Sequence, residues 1–357
     1  MIIWILLFLA ILLVIGIVFW FGNFCGIERM EQGIELKYHN VGKMKYEFEM
    51  TPKWNVGGAT SIVYADRMLV TTKAGKLLAV DDGGGIREVF DAKRGIEEFT
   101  DEGEGGLLYV AKRPSDGVIH LSYTVKGNKM NLVVSQFDLV TMSMGRQIVN
   151  IGFRETYHHS GAMVFDDDDN LYLATGDGGP QGDPYNEAQN KNSYVGKILK
   201  IDKAGNVNII ALGLRNPWGI SIDYSGRLFV PNTGWNSVES VYLIDNFNKI
   251  YNFGWSYFEG SKRIKDGLSI YDPPIFEYPH TGDNIAIVGG FFVPEFSLFV
   301  FADYGGRVRG IETQSDMKWI EVANTKFDSY INNIMYTNGN IYALKNDQIY
   351  QININEL

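Results

Sequence analysis

Along most of this chain, apolar and polar positions alternate over short runs, and each run ends in a turn of Asp, Asn and Gly. ADRMLVTTKAGKLLAVDDGGG (Ala65 to Gly85) reads as strand, turn, strand. The same pattern recurs in GLLYVAKRPSDGVIHLSYT (Gly106 to Thr124), in DDDDNLYLATGDGG (Asp166 to Gly179) with GKILKIDKAGN behind it, and in DYSGRLFVPNTG (Asp223 to Gly234). It returns in PEFSLFVFADYGGRVRGIE (Pro294 to Glu312) and TNGNIYALKNDQIYQI (Thr337 to Ile352). A period of two marks strands with one buried face, and Asn, Asp and Gly supply the reversals between them. Hairpins repeating every roughly 40 to 70 residues match the period of propeller blades. Such small sheets cannot bury both faces alone, and radial packing does it for them. The expectation is an all-β, six-bladed β-propeller over residues 46–357. The competing architecture, a large β-sandwich, lacks this longer period. Lys43 to Met50 is strand-forming and is expected to pair with the last blade and close the ring.

The N-terminus breaks the pattern. MIIWILLFLAILLVIGIVFWFG, Met1 to Gly22, is uncharged and almost wholly apolar, and roughly 20 such residues span a bilayer as a helix. A single transmembrane anchor is expected over residues 1–24, with a polar linker at 25–45. A cleaved signal peptide is the alternative. Against it, no basic residue precedes the run, and GNFCGIERM is a poor cleavage site, with Phe24 before Cys25. Arg29 is offset by Glu28 and Glu31, so flanking charge orients the segment weakly. The propeller is expected on the extracytoplasmic side.

Composition sharpens this picture in three places. Gly 40, Tyr 20 and Phe 21 in 357 residues favour many short strands over long helices. A net charge of −10 argues against nucleic acid as a general partner and leaves anions only local basic clusters. One cysteine, Cys25, excludes an internal disulfide and a Cys-rich zinc site.

Candidate chemistry lies in the turns. Asp166, Asp168, Asn170 and Asp177 imitate the spacing of a calcium loop, but Leu171 stands where the sharp turn needs Gly, so a hairpin turn is expected. His158 and His159 are adjacent. In a strand they would point to opposite faces, which disfavours a shared metal and leaves two readings, a single histidine as general base or a structural loop residue. In ALGLRNPWGISID, Arg215 and Asn216 sit in a Gly/Pro-framed loop, where an arginine offers a fixed fork of donors to a ligand carboxylate or oxyanion, or pairs with a neighbouring acid. Arg307 and Arg309 of RVRG alternate onto one strand face, as a second basic contact to an anion or as a solvated face. NTGWNSVES and NKIYNFGWSYFEG are rich in aromatics and turns, suited to stacking on sugars or planar cofactors or to packing between blades.

Taken in order, EGEGGLLYVAKRP, HHSGAMVF with DNLYLATGDGG, AQNKNSYVGKILKID, GLRNPWG, NFGWSYFEG and AIVGG…FADYGGRV resemble the soluble quinoprotein glucose dehydrogenase and aldose sugar dehydrogenase family. These proteins are six-bladed propellers that bind pyrroloquinoline quinone (PQQ). The resemblance runs from about Trp54 to Arg309. It implies His158 as catalytic base and Arg215 with Asn216 as contacts to the quinone. It implies the backbone carbonyls of Gly234 and Trp235 as ligands of the calcium that holds PQQ, and Arg307 and Arg309 as late-blade basic residues. The implied reaction oxidises an aldose at C1 to a lactone. His158 takes the hydroxyl proton, hydride goes to the quinone, and a further electron acceptor stays unidentified. Departures are visible. Tyr157 stands where an acid often precedes the histidine, Ala162 replaces a larger residue, Trp235 replaces a proline, Val288 replaces a threonine, and SVESVYLID keeps only Glu239 of an acid pair, while GLRNPWG is similar to the family's GLRNPQG. A reading from another class is a non-catalytic binding propeller, similar to hedgehog-interacting-protein-like members. A calcium-dependent lactonase-like hydrolase is a third.

Overall fold

The structure, a computed structural model, describes residues 37–81, 83–282, 285–314 and 318–357. The expected membrane segment and most of the expected linker lie outside these residues. Among the described residues no helix is long and apolar enough to cross a membrane.

Short antiparallel meanders follow one another along the chain. The first is Ala59–Tyr64, Met68–Thr72, Lys76–Val80 and Ile86–Asp91. The second is Leu107–Lys112, Ile119–Lys126, Met130–Asp138 and Ser143–Phe153. The third runs Ser160–Phe165, Leu171–Thr175, Lys197–Ile201 and Val207–Leu212, with Tyr251–Asn252 added in parallel at its edge. The fourth is Ser221–Ile222, Leu228–Asn232, Val238–Ile244 and Phe276–Pro279. Every hairpin expected from the alternation is present.

The last strands differ from a plain series of separate blades. Ile287–Val293, Leu298–Asp303, Arg307–Thr313 and Trp319–Lys326 join Asn333–Thr337, Asn340–Leu344 and Ile349–Glu356 in one closed eight-stranded sheet. Its eighth strand, Val41–Trp54, closes it from the N-terminal side. That strand pairs antiparallel with the C-terminal strand, Tyr46 opposite Glu356 through Met50 opposite Ile352, as expected for ring closure. It also bridges Trp319–Lys326 in parallel at Tyr46 and Ala323. It starts at Val41, inside the expected linker, because VGKMKYEFEM keeps its period-two alternation of more and less exposed positions.

The first strand of each meander faces a common axis. Ile62, Val110, Met163, Ile220, Phe291 and Ile334 line one apolar channel there. This radial arrangement makes the fold an all-β, propeller-like one. The acidic turn is a hairpin turn. Asp166 Oδ1 accepts the amides of Asp168 and Asn170 at 3.1 and 2.8 Å, and Oδ2 accepts Asn170 Nδ2 and the Tyr172 hydroxyl at 2.8 and 3.0 Å. Its carboxylate is spent on the turn.

Candidate active site

At one mouth of the axis the connecting loops enclose a cavity of about 700 Å³, within the range typical of small-molecule sites. His158, Arg215, Asn216, Gly234 and Trp235 all line it. His158 and Arg215, 57 positions apart in sequence, meet there because each lies in a loop leading into the first strand of its meander, while Gly234 and Trp235 arrive on the loop between a second and a third strand.

His158 lies in a turn that the sequence makes tight. His158, Ser160 and Gly161 all have positive φ, 56°, 59° and 85°, a region costly for residues with a Cβ. The turn is held by surrounding bonds. The His158 amide donates to the Glu104 carboxylate at 2.7 Å, and Ser160 Oγ donates to the Pro217 carbonyl at 2.5 Å. Gly176 is required opposite, since a Cβ there would run into the His158 carbonyl.

The ring of His158 is oriented by Asp177, whose Oδ1 lies 2.7 Å from Nδ1. Asp177 is buried and also accepts Trp255 Nε1 at 2.8 Å and the Gly179 amide at 3.0 Å. A carboxylate only accepts, so Nδ1 carries the proton and Nε2 presents its lone pair to the cavity. His159 is placed differently. It is fully buried, its Nε2 donates to the Glu155 carbonyl at 3.1 Å, its edge packs on Phe153 at 5.0 Å, and burial lowers its pKa. It packs the turn and does not line the cavity.

Arg215 and Asn216 are fixed by one side chain, since Asn232 Oδ1 accepts both of their amides at 3.1 Å. The Arg215 guanidinium donates to Gln181 Oε1 at 2.9 Å and to the Thr233 carbonyl at 3.4 Å, and lies 5.9 Å from the Trp255 ring. Its partners are neutral: among the described residues it forms no ion pair. Arg215 Nε and Asn216 Oδ1 are buried with no partner among the described residues. Unpaired polar atoms in a cavity wall are costly unless something binds them. Lys73 adds a second positive charge to the wall, and Glu104 the opposing one. These donors suit a flat ligand carrying carboxylates and carbonyls, as PQQ does.

The loop at Gly234 and Trp235 wraps around two buried carboxylates. Glu259 Oε1 accepts the amides of Trp235, Asn236, Ser237 and Val238 at 2.6, 2.8, 2.8 and 3.3 Å. Glu239 Oε2 accepts the amides of Gly234 and Ile287 at 3.1 and 2.9 Å, while Oε1 pairs with His280 Nε2 at 2.6 Å. Glu239, the remaining acid of the expected pair, is thus already used. The carbonyls of Gly234 and Trp235 accept no bond among the described residues, so they remain open to a cation. No group of three or more His, Cys, Asp or Glu forms a metal cluster among the described residues. Calcium takes six to eight oxygens. These two carbonyls fit it only as part of a shell completed by its ligand and water.

Arg307 and Arg309 do not line the cavity. They sit on the third strand of their meander, away from the axis, and each is bound to the neighbouring strand. Arg307 donates to Asn324 at 2.6 Å, and Arg309 to Glu321 at 2.5 Å beneath the Tyr278 ring. The expectation that they contact a cofactor is corrected on this geometry. Sequence reasoning missed Asp177, Lys73, Gln181 and Glu104 as wall or orienting groups. Only Asp177 carried a signal, the acid immediately after the strand in LATGD.

Comparison with known proteins follows the same lines. The sequence profile of the glucose/sorbosone dehydrogenase family matches residues 54–272. A protein named HIPL1 from Arabidopsis thaliana is 30% identical over 239 residues, 51% of this chain and 34% of its own. Quinoprotein glucose dehydrogenase B from Acinetobacter calcoaceticus is 25% identical over 240 residues, 54% of this chain and 48% of its own. The chain therefore spans about a third to a half of the length of these relatives. The PQQ-bound aldose sugar dehydrogenase from Streptomyces coelicolor superposes with a TM-score of 0.70 at 18% identity, covering 86% of this chain and 98% of the other. At that identity the likeness speaks for the fold.

Proposed function

We propose, from the premise that this chain belongs to the glucose/sorbosone dehydrogenase family, that it is a six-bladed, PQQ- and calcium-dependent aldose dehydrogenase. In the blade count the closed eight-stranded sheet is taken as two blades. The observation that carries the proposal is one cavity wall holding both an oriented histidine and a buried arginine with no acid partner among the described residues. His158 Nε2 takes the proton from the anomeric hydroxyl, and Asp177 stabilises the imidazolium that forms. Arg215, Asn216 and Lys73 bind the cofactor's anionic and carbonyl groups, and the Gly234 and Trp235 carbonyls contribute to the calcium. PQQ, when bound, supplies the two-electron acceptor for the hydride leaving C1, giving a lactone. An unidentified partner reoxidises the cofactor. A membrane anchor and extracytoplasmic placement rest on the apolar run Met1 to Gly22 alone.

The second reading, a non-catalytic binding propeller, is favoured by the likeness to HIPL1 and by the commitment of Glu239 and Glu259 to backbone amides. One experiment separates the two. The full chain is titrated with PQQ and calcium, and reduction of an artificial acceptor is followed with several aldoses. Micromolar PQQ affinity with turnover supports the dehydrogenase, and His158→Ala should then lose about 10²- to 10⁴-fold in kcat while still binding PQQ. Absence of PQQ binding at micromolar concentrations overturns it in favour of the binding module.

A further inference from the structure

Trp218 occupies a position that the reaction above does not use. From Asn216 the chain passes Pro217, pinned by Ser160 at 2.5 Å, and enters the inner strand Ser221–Ile222. Trp218 packs against two apolar clusters at once, one built mainly from the second to fourth sheets and one from the closed eight-stranded sheet. It therefore joins the two clusters. On the far side its Nε1 donates to the Asn332 carbonyl at 3.3 Å. The next residue adds a second constraint. A Cβ at Gly219 would lie 2.5 Å from Gly289 Cα, so the backbone here is pressed against the adjacent sheet.

Both the main chain and the indole N–H of Trp218 are thus fixed, yet the ring is only half-buried. It lines the 700 Å³ cavity, while Ile220 to Ile222 just beyond it line the apolar axial channel. A rigid aromatic ring forms the boundary between the two. Arg215 and Asn216, with their unpartnered Nε and Oδ1, stand on the same wall three and two positions earlier.

We propose that Trp218 is the stacking floor of this cavity: a planar conjugated ligand lies on its indole face while Arg215 and Asn216 hold polar groups at the ligand's edge. The inference rests on the reading of the cavity as a PQQ site. It adds a residue at a position where the resemblance has glutamine, which offers no π face. Offset stacking contributes beyond simple burial of area, and a flat ring fixed in advance loses little entropy when the ligand arrives.

The test compares Trp218→Phe with Trp218→Leu in the full chain with calcium. PQQ is titrated by quenching of tryptophan emission and by the shift of the quinone absorption band. Both substitutions leave an apolar floor, but only phenylalanine keeps a π face. The expected result is affinity within about threefold of wild type for Trp218→Phe and about tenfold weaker for Trp218→Leu, with a smaller absorption shift in the leucine variant. Trp218→Met, a flexible apolar filler, replaces the leucine variant should that one not fold. Equal affinities and equal absorption shifts for the aromatic and aliphatic variants overturn the stacking role and leave Trp218 a plug of the channel. A wild-type chain that binds no PQQ overturns this inference together with the function it rests on.

Discussion

Arg215 and Arg309 make an instructive pair. Both are buried, both carry an Nε without a partner among the described residues, and both lie near an aromatic ring, Trp255 at 5.9 Å and Tyr278 at 4.3 Å. They differ in what faces the guanidinium. Arg309 meets the Glu321 carboxylate at 2.5 Å, and Glu321 is held further by His39 at 3.6 Å and Asn324 at 2.6 Å. Arg215 meets a glutamine amide and a backbone carbonyl. A buried positive charge needs compensation. Where the protein supplies a carboxylate the arginine is structural, and where it supplies only neutral acceptors an anion has room to bind.

The largest test of this contrast is Arg215→Gln. Loss of the uncompensated charge should lower kcat/KM by about 10²- to 10³-fold, with a thermal midpoint close to wild type because no buried acid is left unpaired. Arg309→Gln should do the reverse. Ligand affinity should stay near wild type while stability falls by about 3 kcal/mol, the cost of stranding Glu321. The double variant Arg309→Gln with Glu321→Gln should recover most of that loss in chemical denaturation. A double variant no more stable than Arg309→Gln would break the comparison.

The pair also has a pH signature. Burial alone would raise the Glu321 carboxyl, but His39 and Arg309 outweigh it and hold the group below its ordinary value. The contribution of a depressed acid is present above its unfolded pKa and lost as pH falls through the folded one. The stability gap between wild type and Arg309→Gln should therefore narrow as the medium is acidified below about pH 4.5.

Lys73 tests the cavity side more gently. It is exposed at the rim, so Lys73→Gln should weaken PQQ binding only about threefold, and should flatten the dependence of affinity on salt. A separate effect, on stability and not on ligand affinity, is expected at Asp183, in the loop that delivers Gln181. Burial raises its pKa from the ordinary 3.8 to about 6, opposed by its bonds from the Ala188 and Glu187 amides. A raised acid favours the folded state below its unfolded pKa, and that advantage is lost as pH rises to about 6. Asp183→Asn should remove this part of the stability slope between about pH 4 and pH 6, as measured by thermal midpoint.

Much of this protein was legible in its sequence. The hairpins, the closing strand near Lys43 to Met50 and the acidic turn at Asp166 all depend on neighbouring residues. Period-two alternation and Asx chemistry report them directly. The candidate site was legible where motif residues sit in a loop that opens on the axis, as His158 and the Arg215–Asn216 pair do. It was not legible at Arg307 and Arg309, whose alternation on a strand is the same whether the strand lies next to the axis or third from it. Nor could local pattern find Lys73 or Glu104, which join the wall from other sheets.

The amino-acid sequence by itself settled the strand pattern, the turns, the all-β class and the residue types available for chemistry, because each follows from local periodicity and side-chain preference. Only the tertiary structure decided which charges meet. Among the described residues it placed Glu321 against Arg309 and no acid against Arg215, turned Asp177 onto His158 19 positions away, and set Trp218 between two apolar clusters. Charge compensation and ring orientation are properties of distance in space, and radial packing brings together loops that the chain keeps far apart.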